Sequence, residues 1–503
     1  MNPHDSTFSS TLASLPLGFW VAVGVWSLAA YLSVMRIRQA IGLPMLAVLG
    51  TVAGWYFGDA FYNEYAGYLR TFEPWIMNQA WGQVALFTGM FAVLTPVCHH
   101  YLNRRLEKQE SHIFGLVQQG IDNENFQQKL TIIFWSVFTV WLILTVVAFL
   151  KLGMDIRYYF FPFLGEKAEP WSRSRIGKGL DALIALAGYL QVFTASAFGV
   201  LGALSNKKTI RVAALCGCIL TWPYYIFDRT RNAILAATIP GILSWTFFRF
   251  RGKILWKFAV LFLWFVVVEA WLRFVIQNRT EMTISDAFQE QGFSLQEKDK
   301  NTAHHEGLNM FEELCWMDTF IYSHTMKPDW GKRYFAEMVN PIPRVLWPGK
   351  PMIGIDYAVA RGMGGGQDED AGVFASISTG MIGQGVQNFD LWMGPAAAAF
   401  LMAIWASALA RLDLEEHKTG ATMLYIIGGV LTFNMGRDIT LITLYPFLFG
   451  WLLIWWLNRK KAGAPVNDRA VARSIRAGGR PVKSVVRGKP VPAVRNKPRQ
   501  WFL

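Results

Sequence analysis

Charge is scarce in this 503-residue chain. Asp, Glu, Lys and Arg make up 17% of it, where a soluble protein of this length carries roughly 25%. Only eight histidines and four cysteines are present. Cys98, Cys216 and Cys218 fall in or beside apolar runs, and Cys315 stands alone in a polar stretch, so a disulfide framework is excluded as the organising feature. Cys216-Gly-Cys218 is too tightly spaced for a zinc site without further ligands. There is no GK[ST] phosphate loop and no HExxH metal motif. No charged start followed by a cleavage site opens the chain, so the first apolar run is expected to be retained.

What is abundant is apolar surface. The chain is 53% hydrophobic and 15% aromatic, with a mean hydropathy of +0.26. The apolar residues fall in continuous runs of about 17 to 25, the length that crosses a bilayer core, rather than in the period-two pattern of a membrane barrel. These features predict an all-α polytopic membrane protein. About eleven spans are expected, near 17–35, 41–61, 83–101, 130–150, 181–204, 210–227, 233–250, 254–276, 390–410, 420–436 and 438–457. The second is weak in Leu and Ile, and the last two are so close that one could be re-entrant. The expected organisation is a bundle over 1–276, a large loop over 277–389, further spans over 390–457 and a basic tail over 458–503.

Of the net charge of +13, twelve charges belong to that tail, which holds thirteen Lys/Arg and the single acid Asp468. A Pro/Gly-rich basic tail after a last span reads as an extension near anionic lipid, not as a nucleic-acid binder. The loops give an orientation. Arg36 and Arg38, Arg104 to Lys129, Lys207 to Arg211, and Arg249 to Lys257 all fall on one side under alternating topology, together with the tail. Lys/Arg-rich short loops mark the cytoplasmic side. The N-terminus is therefore expected outside, the C-terminus inside, and the 277–389 loop outside.

The informative cations are those on the outer side. "YYIFDRTRNAIL" carries Arg229 and Arg231 in a short turn, and "TFNMGRDITLITLYP" carries Arg437 beside Asp438. The large loop adds Arg344, Lys350 and Arg361. Arginine's planar fork donates two parallel bonds to phosphate oxygens, so several converging near headgroup depth would hold a pyrophosphate. Plainer readings stand beside this one: lipid anchors for Arg229 and Arg231, and a hairpin ion pair for Arg437 and Asp438. Arg361 precedes "GMGGGQDED", which reads from its composition as a flexible acidic loop. Lys350 and Arg344 flank Trp347 in "NPIPRVLWPGKP", whose four prolines predict a stiff extended arm. For proton transfer, "NTAHHEGLNMFEELCWMD" offers His304, His305, Glu306, Glu312, Glu313 and Asp318. His305, Glu306 and Glu313 are the chosen acid–base candidates, with Glu269 in the eighth span as a further buried carboxylate.

The stretch "YFAEMVNPIPRVLWPGKP", followed by "SISTGMIGQGVQNFDLWMGPAAAAF", resembles the O-antigen polymerase (Wzy-type) family. The likeness covers roughly residues 310–410, whereas "DRTRNAIL" and "NMGRD" match loosely and the first 200 residues match in hydropathy alone. The resemblance implies an enzyme of the bacterial inner membrane that polymerises oligosaccharide repeat units carried on undecaprenyl pyrophosphate. The large loop would be periplasmic. Arg229, Arg231, Arg344 and Arg437 would stabilise the leaving pyrophosphate, and a group of the 304–313 segment would take the acceptor proton. It implies no cofactor and no metal. Implied partners are lipid-linked oligosaccharides and membrane lipid, with flippase and chain-length regulator proteins nearby. Three other readings stay open: a ligase using the same donor, a flippase or transporter, and a membrane scaffold acting through its basic tail. The transport reading is opposed by spans nearly free of charge and by the absence of matched broken helices in the two halves.

Overall fold

The computed structural model describes residues 14–62, 65–106, 109–119, 121–154, 171, 181–226, 231–250, 252–277, 309–339, 342, 346–351, 355–361, 378–415 and 420–462. The chain divides into a large unit, Met1–Trp456, and a small one, Leu457–Leu503. Of the small unit, only Leu457–Ala462 is described, as the end of the last helix. The basic tail lies outside the described residues.

The described residues are helical. Helix α1 spans Leu17–Met35. Helix α2, Gly42–Val52, continues through a π-helical turn, Ala53–Phe57, into the short α3, Gly58–Tyr62. Next come α4 (Tyr65–Thr71), α5 (Pro74–Asn103), α6 (His112–Gln119) and α7 (Glu124–Lys151). Helices α8 (Asp181–Leu204), α9 (Lys208–Ile226), α10 (Arg231–Phe248) and α11 (Ile254–Gln277) follow. Within the polar stretch lie α12 (Met310–Tyr322), α13 (Lys332–Val339) and α14 (Ile355–Ala360). The chain returns to apolar helices with α15 (Gly380–Leu414), α16 (Ala421–Asn434) and α17 (Leu441–Ala462).

Six of these are long and apolar enough to cross a membrane: α1, α5, α7, α8 from Leu186, α9 and α15. Shorter apolar segments lie in α10, α11 and α16. The protein is therefore an all-helical, multi-pass membrane protein. Large apolar side chains of α1, α7 and α11, among them Leu28, Leu150 and Phe262, stay exposed, as a lipid-facing surface requires. Hydroxyls within the apolar helices bond back to the carbonyl four residues earlier, as Ser33 does to Ala29, Thr95 to Phe91 and Thr221 to Gly217. A polar group in hydrocarbon is thereby satisfied inside its own helix.

Local signals explain the helix starts. Pro74 opens α5, where its missing N–H costs nothing. The Asn123 side chain accepts from the N–H groups of Asn125 and Phe126 to cap α7. Helix α15 is not one rod. Phe389 and Asp390 leave helical geometry, with Asp390 at φ 73°. A Cβ built on Gly385 would lie 2.3 Å from the Gly394 carbonyl oxygen. Nine residues of straight helix would separate those positions by about 13 Å. The two parts of α15 therefore fold into a helical hairpin, in which the segment 380–388 packs back on the apolar segment 391–414.

The segments read from sequence as one long outer loop enter the same core as the apolar helices. Phe311 of α12 stacks on Trp81 of α5 at 4.0 Å between ring centres, and Trp81 in turn stacks on Phe57. The buried core joins Phe19, Trp81 and Phe91 to Met310, Leu314 and Met317.

Candidate functional site

One end of the bundle collects buried charge. Asp59, at the end of the second apolar run, is fully buried. Its Oδ2 accepts from the backbone N–H groups of Phe311 (2.8 Å) and Glu312 (3.0 Å), while the Tyr68 hydroxyl donates to Oδ1 at 2.7 Å. A carboxylate from another helix thus caps α12, matching its positive end. One turn on, Glu313 is 1% exposed and receives bonds from Asn309 (3.1 Å), Arg361 (3.3 Å) and the Tyr357 hydroxyl. Arg361 also lies 3.7 Å from Glu312 and stacks over the Trp316 ring at 4.5 Å. Burial beside Glu313 pushes the Tyr357 phenol well above its ordinary range, so it remains a donor. This cluster clasps α14 to α12.

Asp318, on the same helix, is fully buried against Gln83 of α5, which donates to it at 2.9 Å. Burial pushes its pKa well above the usual carboxylate range, against the lowering effect of the bond from Gln83.

The second cluster is built on α13 and the α15 hairpin. Arg333 donates to Gln387 of the hairpin's short arm and, at 3.2 Å, to Asp438 in the turn before α17. Asp438 also accepts from the Thr379 N–H and hydroxyl, both at 3.3 Å. The turn and the short arm are cross-linked further: Met381 N–H donates to the Gly436 carbonyl, Ile439 N–H to Gln384, and Ile382 N–H to the Tyr56 hydroxyl from the π-helical turn. Tyr334 N–H donates to Asn388, and Asp329 N–H to the Gln387 carbonyl. Glu337, one turn beyond Arg333, is 4% exposed. Loss of solvent pushes its carboxyl up to about 7, against the lowering effect of Arg333; Asp438 raises it further. Three polar atoms of α13 are buried without a hydrogen-bond partner: Arg333 Nε, the Tyr334 hydroxyl and Glu337 Oε2.

The residues singled out in the sequence divide three ways. Glu313 and Arg361 come together, as partners of one another. Lys350 is buried and its Nζ donates to the Ile342 carbonyl at 2.9 Å, tying the proline-rich arm to itself, while Trp347 packs edge-on to Phe335 of α13. Arg437 is half-buried in the turn beside Asp438. His304, His305, Glu306, Arg229 and Arg344 lie outside the described residues, as do the side chains of Arg231 and Glu269.

Sequence reasoning missed Asp59, Arg333, Tyr334, Glu337 and Gln387. The one available signal was the octapeptide "KRYFAEMV", which sets Arg333 and Glu337 four apart on one helical face with Ala336. Compared with known proteins, the chain matches no family model, no curated protein and no solved structure.

Proposed function

We propose that the protein is a glycan polymerase of the bacterial inner membrane, joining oligosaccharide repeat units carried on undecaprenyl pyrophosphate. In this reading the chain crosses the membrane about eleven times and residues 277–389 face the periplasm. The N-terminus is periplasmic and the C-terminus cytoplasmic. The carrying observation is the cluster of buried, incompletely paired polar groups on α13, against the α15 hairpin and the 436–438 turn. Burial of Arg333, Glu337 and Gln387 in a protein this apolar is expensive for stability. It suits a site that works on a polar headgroup while the lipid tail stays in the bilayer. The donor is already activated as a pyrophosphate ester, so cation-rich turns and one base are the chemistry the transfer requires. Arg229, Arg231, Arg344 and Arg437 remain the proposed partners of the leaving pyrophosphate.

The α15 hairpin favours a second reading, transport of the lipid-linked glycan, because helices broken at membrane depth also line transporter sites. The lipid-linked glycan profile of a deletion strain separates the two. Single repeat units accumulating on the periplasmic side support the polymerase; accumulation on the cytoplasmic side supports transport. Long chains that form but are not attached would point to the ligase alternative.

A further inference from the structure

Resting on the polymerase reading, we propose that the α13 face formed by Arg333, Tyr334 and Glu337 receives the acceptor sugar, and that Glu337 takes the proton of its attacking hydroxyl. The argument begins with unmet bonding capacity. Native proteins leave few buried polar atoms unpartnered, and each one calls for an explanation. Here three fall on consecutive turns of one eight-residue helix. Residues 333 and 337 are four apart and 334 and 337 three apart, so their side chains neighbour one another.

The atom types specify the ligand. Arg333 Nε–H can only donate, Glu337 Oε2 accepts when ionised, and the Tyr334 hydroxyl does either. That mixed set matches sugar hydroxyls, each of which is both donor and acceptor. It does not match pyrophosphate. Asp438 already sits 3.2 Å from Arg333, so an added dianion would meet the carboxylates of Asp438 and Glu337 with one guanidinium between them. The charged and titratable groups facing Glu337 among the described residues are Arg333 and Tyr334 on its own helix and Asp438 on the turn; the hairpin contributes the uncharged Gln387 and Asn388. The acceptor and the pyrophosphate are thereby assigned to separate subsites.

The step balances without a further reactant. The acceptor O–H proton passes to Glu337 Oε2 as the hydroxyl oxygen forms a bond to the donor's anomeric carbon. The bond from that carbon to the pyrophosphate oxygen breaks, and its electron pair leaves with the lipid pyrophosphate. Glu337 then returns its proton to water. A carboxyl raised to about 7 is matched to such a task near neutral pH.

The test uses full-length protein in lipid nanodiscs with lipid-linked repeat units extracted from its host. Polymer formation is followed from pH 5.5 to 8.5 for wild type, Glu337→Gln and Glu337→Asp. The wild-type rate should rise through pH ~7. Glu337→Gln should lose about 100-fold, and Glu337→Asp should be intermediate with a displaced pH profile. In parallel, the thermal midpoint is measured with a hydrolysate of the host's surface polysaccharide and with inorganic pyrophosphate. The hydrolysate should raise it in wild type but not in Tyr334→Phe or Glu337→Gln, while any response to pyrophosphate stays equal in all three. Polymer from Glu337→Gln within three-fold of wild type overturns the assignment, as does an unchanged response of that variant to the hydrolysate. If wild type makes no polymer but the sugar response appears and depends on Glu337, the polymerase reading fails and the sugar site stands. If neither polymer nor sugar response appears in wild type, both fall.

Discussion

At the scale of single residues, Glu337 carries a measurable thermodynamic signature apart from any activity. Its carboxyl titrates near 7 in the folded protein and near 4.3 when unfolded. Between those values the folded state binds the extra proton, so stability falls as pH rises across that window and stays low above it. The total is roughly 4 kcal/mol for a group this buried. Glu337→Gln removes the titration and should flatten the wild-type decline in thermal midpoint between pH 5 and 8, leaving the variant more stable at pH 8. An equal slope in both proteins would place the titrating group elsewhere. The Arg333–Asp438 pair makes the complementary case. Removing one partner of a buried pair leaves an uncompensated charge, at a cost of about 3–5 kcal/mol. Asp438→Ala should therefore lower the midpoint sharply at pH 6. At pH 8 the loss should shrink, because an ionised Glu337 one turn away can serve Arg333 instead. Asp438→Asn, which keeps the bonds to Thr379 but not the charge, should fall between.

Among elements, the α15 hairpin decides where the site sits. Its short arm supplies Gln384, Gln387 and Asn388, all buried, and its return depends on Gly385 and Gly394 meeting backbone to backbone. A Cβ on Gly394 would lie 2.4 Å from the Gly385 carbonyl carbon, and backbone cannot yield as a flexible side chain can. Gly385→Val or Gly394→Val should abolish the monodisperse peak in size-exclusion chromatography. Gly429→Val, on α16 with open space around its Cβ direction, should elute as wild type. The sequence displays why this element was hard to read. "GMIGQGVQNFDLWMGPAAAAF" shows an apolar span beginning near residue 390, because its earlier half is rich in Gly, Gln and Asn and has no continuous apolar run. Those polar side chains bond inside the protein, to Ile439, Arg333 and Tyr334. Hydropathy registers them as loop. The same blindness hid α13: three charged residues within eight positions look solvated, until tertiary packing covers Arg333 and Glu337. By contrast, Glu313 stands out in the sequence because acids and histidines neighbour it, and its bonds tie it to Arg361 and Tyr357 in a clasp.

Across the molecule, apolar runs were legible because bilayer thickness alone dictates their length, and the residues flanking them sort by end. Ser111 N–H donates to the Arg38 carbonyl, Ile113 N–H to Asp413, and Arg411 to the Leu102 carbonyl. These contacts gather the 36–41, 102–106, 109–113 and 411–415 segments at the end of α5 opposite to Gln83 and Asp318. The polar site and these arginine-bearing segments are thus at opposite ends of the same helices, which is the arrangement that the Lys/Arg bias requires of an outward-facing site. In a background with Cys98, Cys216, Cys218 and Cys315 replaced by Ala or Ser, Lys332→Cys and Arg105→Cys put single exposed thiols at the two ends. A membrane-impermeant maleimide added to spheroplasts should label Lys332→Cys at once and Arg105→Cys only after permeabilisation. The reverse pattern would put Arg333 and Glu337 in the cytoplasm, where no donor bearing an outward-facing headgroup could reach them, and the polymerase reading would fall with the topology.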